Sequence, residues 1–73
     1  MPRKVRQLKA DLHRVGARII RQRGSHTTWR HPAIPGILVE LAGHDGDDAQ
    51  PYQERDVREA LHRIRDMDGE GEA

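Results

Sequence analysis

The stretch from Gly24 to Pro32, Gly-Ser-His-Thr-Thr-Trp-Arg-His-Pro, constrains the fold more than any other part of the chain. Glycine enters the positive-φ backbone conformations that short hairpin loops require, so Gly24-Ser25 reads as a tight turn. Thr27, Thr28 and Trp29 suit a pleated surface, and Pro32 stops the ladder by removing a backbone donor. Before the turn, residues 17–23 centre on Ile19 and Ile20, a run too short for a helix. A hairpin is therefore expected, with strand one over 17–23 and strand two over 26–31. Pro35-Gly36 marks a second turn, and Ile37 to Leu41 supplies strand three. The centre of the chain is a three-stranded antiparallel meander.

A sheet of this size needs a cover, and both flanks offer one. Val5, Leu8, Leu12 and Val15 recur at steps of three or four and form one stripe of a helix over about 3–15, ended by Gly16. Val57, Ala60, Leu61, Ile64 and Met67 form the stripe of a second helix. That helix starts either at Pro51, which suits a first turn, or at the capping-box-like pair Asp56 and Glu59. The order αβββα, with both helices on one face of the sheet, defines an α+β fold laid out like a double-stranded-RNA-binding domain. Layout alone does not assign a function.

The 73 residues allow a single domain, expected over 1–67, with 68–73 as a disordered acidic tail. The chain lacks Cys and Phe, so aliphatic packing must hold it together. No apolar run is long enough for a membrane span and no signal-peptide pattern appears, which predicts a soluble, cytoplasmic protein.

A net charge of +1 hides a strong division. Residues 1–31 hold nine Lys or Arg against the single acid Asp11, a balance of +8; residues 32–73 hold four Arg against eleven acids, a balance of −7. Such asymmetry fits either a basic face that attracts polyanions or two solvated faces that neutralise each other. Within the acidic half, residues 43–50 read as a surface loop. Asp45, Asp47 and Asp56 loosely follow calcium-loop spacing. Gln50 stands where that loop needs Gly, however, and its last position lacks Glu. No zinc-ligand spacing is present either, so no metal is expected.

Five histidines are candidates for chemistry. His13 and His62 read as helix-surface residues, His31 as a turn cap, and His44 as the start of the acidic loop. Alternation along strand two puts His26, Thr28 and Arg30 on one face and Thr27, Trp29 and His31 on the other. With the helices over Trp29, His26 lies on the open face. RNA self-cleavage needs a base for the 2′-hydroxyl, an acid for the leaving 5′-oxygen, and cations near phosphorus. An imidazole titrates at about 6.5 in water and can move either proton near neutrality. Arg21, Arg23 and Arg30 are suited to hold phosphates, with Ser25 and Thr28 orienting the imidazole or the RNA. By spacing alone, a hydrogen bond local to the hairpin is the more ordinary reading of His26.

The residues Arg-Gln-Arg-Gly-Ser-His at 21–26, the aromatic Trp29, and Arg30-His31-Pro32, set between the two helical stripes, resemble the HicA family of small bacterial toxins. The resemblance spans roughly Val5 to Met67. It implies a double-stranded-RNA-binding-like fold and an mRNA-cleaving, translation-blocking ribonuclease with no metal or other cofactor. It places the catalytic histidine of the Gly-Ser-His motif at His26 and implies a HicB-type antitoxin that covers the active face. The free chain is expected to be monomeric. This chain departs from the family in having Thr27 where many members carry a second histidine. Its second helix is also acidic rather than basic, through Glu54, Asp56, Glu59 and Asp66. Two other readings remain open on the residues: a non-catalytic RNA-binding module using the same basic face, and a protein-interaction domain.

Overall fold

A computed structural model describes residues 3–72, with side chains described over 3–67. It contains α1 (Val5–Arg14), β1 (Arg18–Arg23), β2 (His26–Arg30), β3 (Leu38–Leu41) and α2 (Pro51–Glu72). The sheet is antiparallel in the order β1-β2-β3. This is the αβββα layout read from the sequence, with strand ends shorter by one residue. The tail expected to be disordered falls on residues whose side chains, and at Ala73 the whole residue, lie outside the described set.

Helix α1 buries Val5, Leu8 and Leu12, and the partly buried Val15 packs beside them. Its end is set by Gly16, which takes φ +92°. The Ala17 N–H then reaches Leu12 O and the Gly16 N–H reaches His13 O, each at 3.0 Å, the paired bonds of a Schellman motif. At its other end the helix has no Ser, Thr, Asp or Asn to cap it. The acidic loop does that work: Val5 N–H donates to Asp47 O at 2.9 Å and Arg6 N–H to Asp45 O at 3.1 Å. Lys9 Nζ and Lys4 Nζ add ion pairs to Asp45 and Asp48 at 2.8 and 2.6 Å. The hydrogen bond from Lys9 holds the Asp45 carboxyl below its ordinary range. The loop is therefore solvent-exposed, as expected, and also a clamp on α1.

The core joins Leu8 and Leu12 to Trp29 and Val39 on the sheet and Val57, Ala60 and Ile64 on α2. Trp29 is 1% exposed, and its indole Nε1 donates to Thr27 Oγ1 at 2.9 Å. Removing such a side chain from a core costs about 3–5 kcal/mol, close to the whole stability of a small domain. Helix α2 begins at Pro51, which settles its start against the Asp56 alternative. Gln53 explains why: its Oε1 accepts from Gln50 N–H at 2.9 Å, and its Nε2 donates to Ala42 O at 3.0 Å. Met67, expected in the buried stripe, is instead 49% exposed, because the core has no member on α2 beyond Ile64.

Candidate functional site

The open face of the sheet is built by alternation on β2 and β3 and by an irregularity on β1. On β2, Thr27 and Trp29 are buried under the helices, so His26, Thr28 and Arg30 point the other way. On β3, Val39 and Leu41 are buried, which leaves Leu38 and Glu40 outward. Pairing of β1 with β2 runs Arg18↔Arg30 and Ile19↔Trp29, then Arg21↔Thr28, Gln22↔Thr27 and Arg23↔His26. Ile20 is the extra residue of a β-bulge.

That bulge decides the chemistry of the face. In an unbroken strand, Arg21 and Arg23 would share a side with Ile19, opposite Trp29 and under the helices. One inserted residue reverses the side on which all later residues point. With Ile20 inserted, Arg18, Arg21 and Arg23 all join His26, Thr28 and Arg30 on the open face. Ile20 itself is 49% exposed.

Four of the expected site residues meet in one shallow basin of about 360 Å³, lined by Arg21, Arg23, His26 and Thr28, with Thr27 and Glu40. Arg30 shares the face one pair further along, between Arg18 and Leu38. Ser25 lies at the hairpin turn, outside the basin wall. The turn has Gly24 at φ +57° and no positive φ at Ser25, the sign pattern of a type II′ hairpin loop. The side-chain hydrogen bond local to this hairpin is made by Gln22, whose Nε2 donates to Gly24 O at 3.3 Å. His26 is exposed and lines the basin instead.

Electrostatically the face is lopsided. Among the described residues, the ion pairs engage Arg3, Lys4, Lys9, Arg14 and Arg55, and none of them engages Arg18, Arg21, Arg23 or Arg30. Among the described residues, the only carboxylate lining the basin is Glu40, opposite Thr28. Glu40 was not singled out from the sequence, although the alternation Val39-Glu40-Leu41 marks it as outward-facing.

The other histidines have separate employment. His31 accepts the Ala33 N–H on Nδ1 at 2.9 Å, so its Nε2 carries the proton and donates to Val15 O at 2.8 Å. It caps the turn after β2, as expected, and also ties that turn to the end of α1. His13 packs edge-on to Trp29 with centroids 5.2 Å apart. His62 pairs with Asp66 on α2, and His44 opens the acidic loop, its N–H bonded to Asp47 at 2.9 Å. Among the described residues no group of His, Cys, Asp or Glu is placed to hold a metal ion, and the three loop aspartates are occupied as above.

With this geometry in place, the comparison with protein families is decisive: the family described as HicA toxin of bacterial toxin-antitoxin matches residues 5–65, from the first residue of α1 into α2. The chain belongs to the HicA toxin family. No curated protein and no solved structure matches it. In this HicA chain the position after the Gly-Ser-His histidine is Thr27, which faces the helices and binds the indole of Trp29. Thr27 is therefore part of the core, while His26 belongs to the open face. No helix among the described residues is long and apolar enough to cross a membrane.

Proposed function

We propose that this HicA toxin is an endoribonuclease that binds mRNA on the open face of its sheet and cleaves it with His26. The observation that carries the reading is the bulge at Ile20, which gathers Arg21 and Arg23 beside His26 and Thr28 in one basin. Arg21, Arg23 and Arg30 hold phosphates by charge-assisted hydrogen bonds. His26 transfers the proton, and Ser25 and Thr28 orient the imidazole or the RNA. The reaction needs no metal, takes place in the cytoplasm, and blocks translation by destroying message. A HicB-type antitoxin neutralises the toxin by covering this same face, and the free toxin is a monomer.

The test is induction of the chain in a bacterial host beside its His26→Ala variant, with growth and intact mRNA followed together. Wild type arrests growth and depletes mRNA; the variant, equally folded, does neither. Because His26 is exposed, its truncation leaves the core untouched, so the loss reports chemistry and not unfolding. If both folded proteins leave growth and mRNA unchanged, and both bind RNA with equal, salt-sensitive affinity, the chain is a binding module and the nuclease reading fails.

A further inference from the structure

Cleavage of RNA through its own 2′-hydroxyl requires two proton transfers in opposite directions, and a single imidazole in one basin performs only one of them at a time. The structure supplies a second group. Glu40 lies opposite Thr28 in the β2–β3 ladder, which makes it the diagonal neighbour of His26 on the same face. Diagonal partners in an antiparallel pair lie about 7–8 Å apart, within reach of long side chains. His26 and Glu40 line the same basin, so each can reach a phosphodiester seated there by one hydrogen bond of about 2.6–3.2 Å. Arg21 and Arg23 line the same basin from the far side of β2.

Resting on the ribonuclease reading above, we propose that Glu40 is the general base of the reaction and that His26 is its general acid. The Glu40 carboxylate takes the 2′-hydroxyl proton as the 2′-oxygen bonds to phosphorus. The bond from phosphorus to the 5′-oxygen breaks, and that oxygen leaves with a proton from the imidazolium of His26. The products are a 2′,3′-cyclic phosphate end and a 5′-hydroxyl end. Glu40 is left protonated and His26 neutral, and passage of one proton between them through solvent resets the pair. Arg21 and Arg23 face the charge that builds on the non-bridging oxygens. A carboxylate in a basin that also holds Arg21 and Arg23 weakens phosphate binding, so its presence there is accounted for by chemistry and not by affinity.

The experiment uses the full chain and two short RNA substrates, one ordinary and one whose scissile 5′-oxygen is replaced by sulfur. A thiolate leaves without a proton, so the second substrate bypasses the general acid and still needs the base. Glu40→Gln is expected to lower kcat about 10²- to 10⁴-fold on both substrates while KM stays level or falls. His26→Ala is expected to lose a similar factor on the ordinary RNA and recover most of it on the sulfur-substituted one. Glu40→Asp, which keeps a carboxylate, recovers part of the loss. A Glu40→Gln enzyme that cleaves as fast as wild type, or faster through tighter binding, overturns the proposal and leaves the His26 reading standing. Rescue of Glu40→Gln by the sulfur substrate overturns the assigned roles. Wild type that cleaves neither substrate sinks the ribonuclease reading and this one with it. Glu40 is exposed, so thermal melts of the variants that match wild type exclude a structural cause.

Discussion

If the open face is where RNA binds, the salt dependence of binding is set by how many of its arginines meet phosphate. Arg18, Arg21, Arg23 and Arg30 share the face, and none enters an ion pair among the described residues. For single-stranded RNA, each phosphate neutralised contributes about 0.7 to the slope of log affinity against log salt. The three that hold phosphate, Arg21, Arg23 and Arg30, therefore predict a slope of about −2.1, and a fourfold rise in salt lowers affinity about 18-fold. The perturbation is Arg21→Gln with Arg23→Gln in a His26→Ala background, so that RNA survives the titration. It should reduce the slope to about −0.7 and the loss over the same salt range to about 2.6-fold. Fluorescence anisotropy of a labelled single strand at several salt concentrations measures both. Arg63→Gln, an exposed cation on α2 away from the sheet, is the control and should leave the slope unchanged. An unchanged slope in the double variant, with a shallower one in the control, would place the RNA on the helices and refute the argument.

Two further predictions concern the support beneath that face. Thr27→Val keeps the shape of a buried side chain and removes the acceptor for Trp29 Nε1. The unsatisfied indole costs about 1–3 kcal/mol, the new methyl offsets at most about 0.8 kcal/mol, and the melting temperature should fall by about 4–8 °C for each kcal/mol lost; an unmoved melt would show that the bond contributes nothing. The Asp45 carboxyl titrates lower in the folded than in the unfolded chain, chiefly through its hydrogen bond from Lys9, so its contribution is present at neutral pH and disappears as acid protonates it. In denaturant titrations the stability advantage of wild type over Lys9→Met should therefore be small at neutral pH and shrink towards zero on acidification, and a gap that widens in acid contradicts the sign.

Much of this architecture is legible from residue spacing. The aliphatic steps on α1, the glycine at its end and the Gly-Ser turn each act over a few residues, and each appears where local chemistry puts it. The bulge does not have that property. Ile19 and Ile20 are adjacent and alike, and which of them is extra depends on how β1 aligns with a strand across the turn. Sequence alone thus names Arg21 and Arg23 as phosphate ligands without fixing the face on which they stand. Glu40 is similar: its apolar neighbours mark it as outward, but its place beside His26 comes from the register of β3 against β2. Gln53 was hidden for the opposite reason. A polar residue in line with Val57, Ala60 and Ile64 reads as surface, whereas its amide is consumed at both ends by Gln50 N–H and Ala42 O.

The division of charge along the chain also has a structural meaning that its sum conceals. The lysines of the basic half lie near the start of α1, and the acidic loop that follows β3 closes over them through Asp45 and Asp48. The same loop supplies the carbonyls that α1 lacks caps for, so charge pairing and backbone satisfaction are met by one segment. Among the described residues, this charge pairing lies on the helix side of the molecule. The arginines of β1 and β2 are on the far side of the sheet, where Arg21 and Arg23 share a basin with His26 in which Glu40 is the one carboxylate among the described residues. A domain with net charge near zero consequently presents a concentrated positive face. The acidity of α2 need not weaken that face, because α2 lies on the opposite side of the sheet. A toxin of this design should attract RNA in proportion to its local arginine count and not to its net charge, and this is the distinction that the salt titration of the double arginine variant measures.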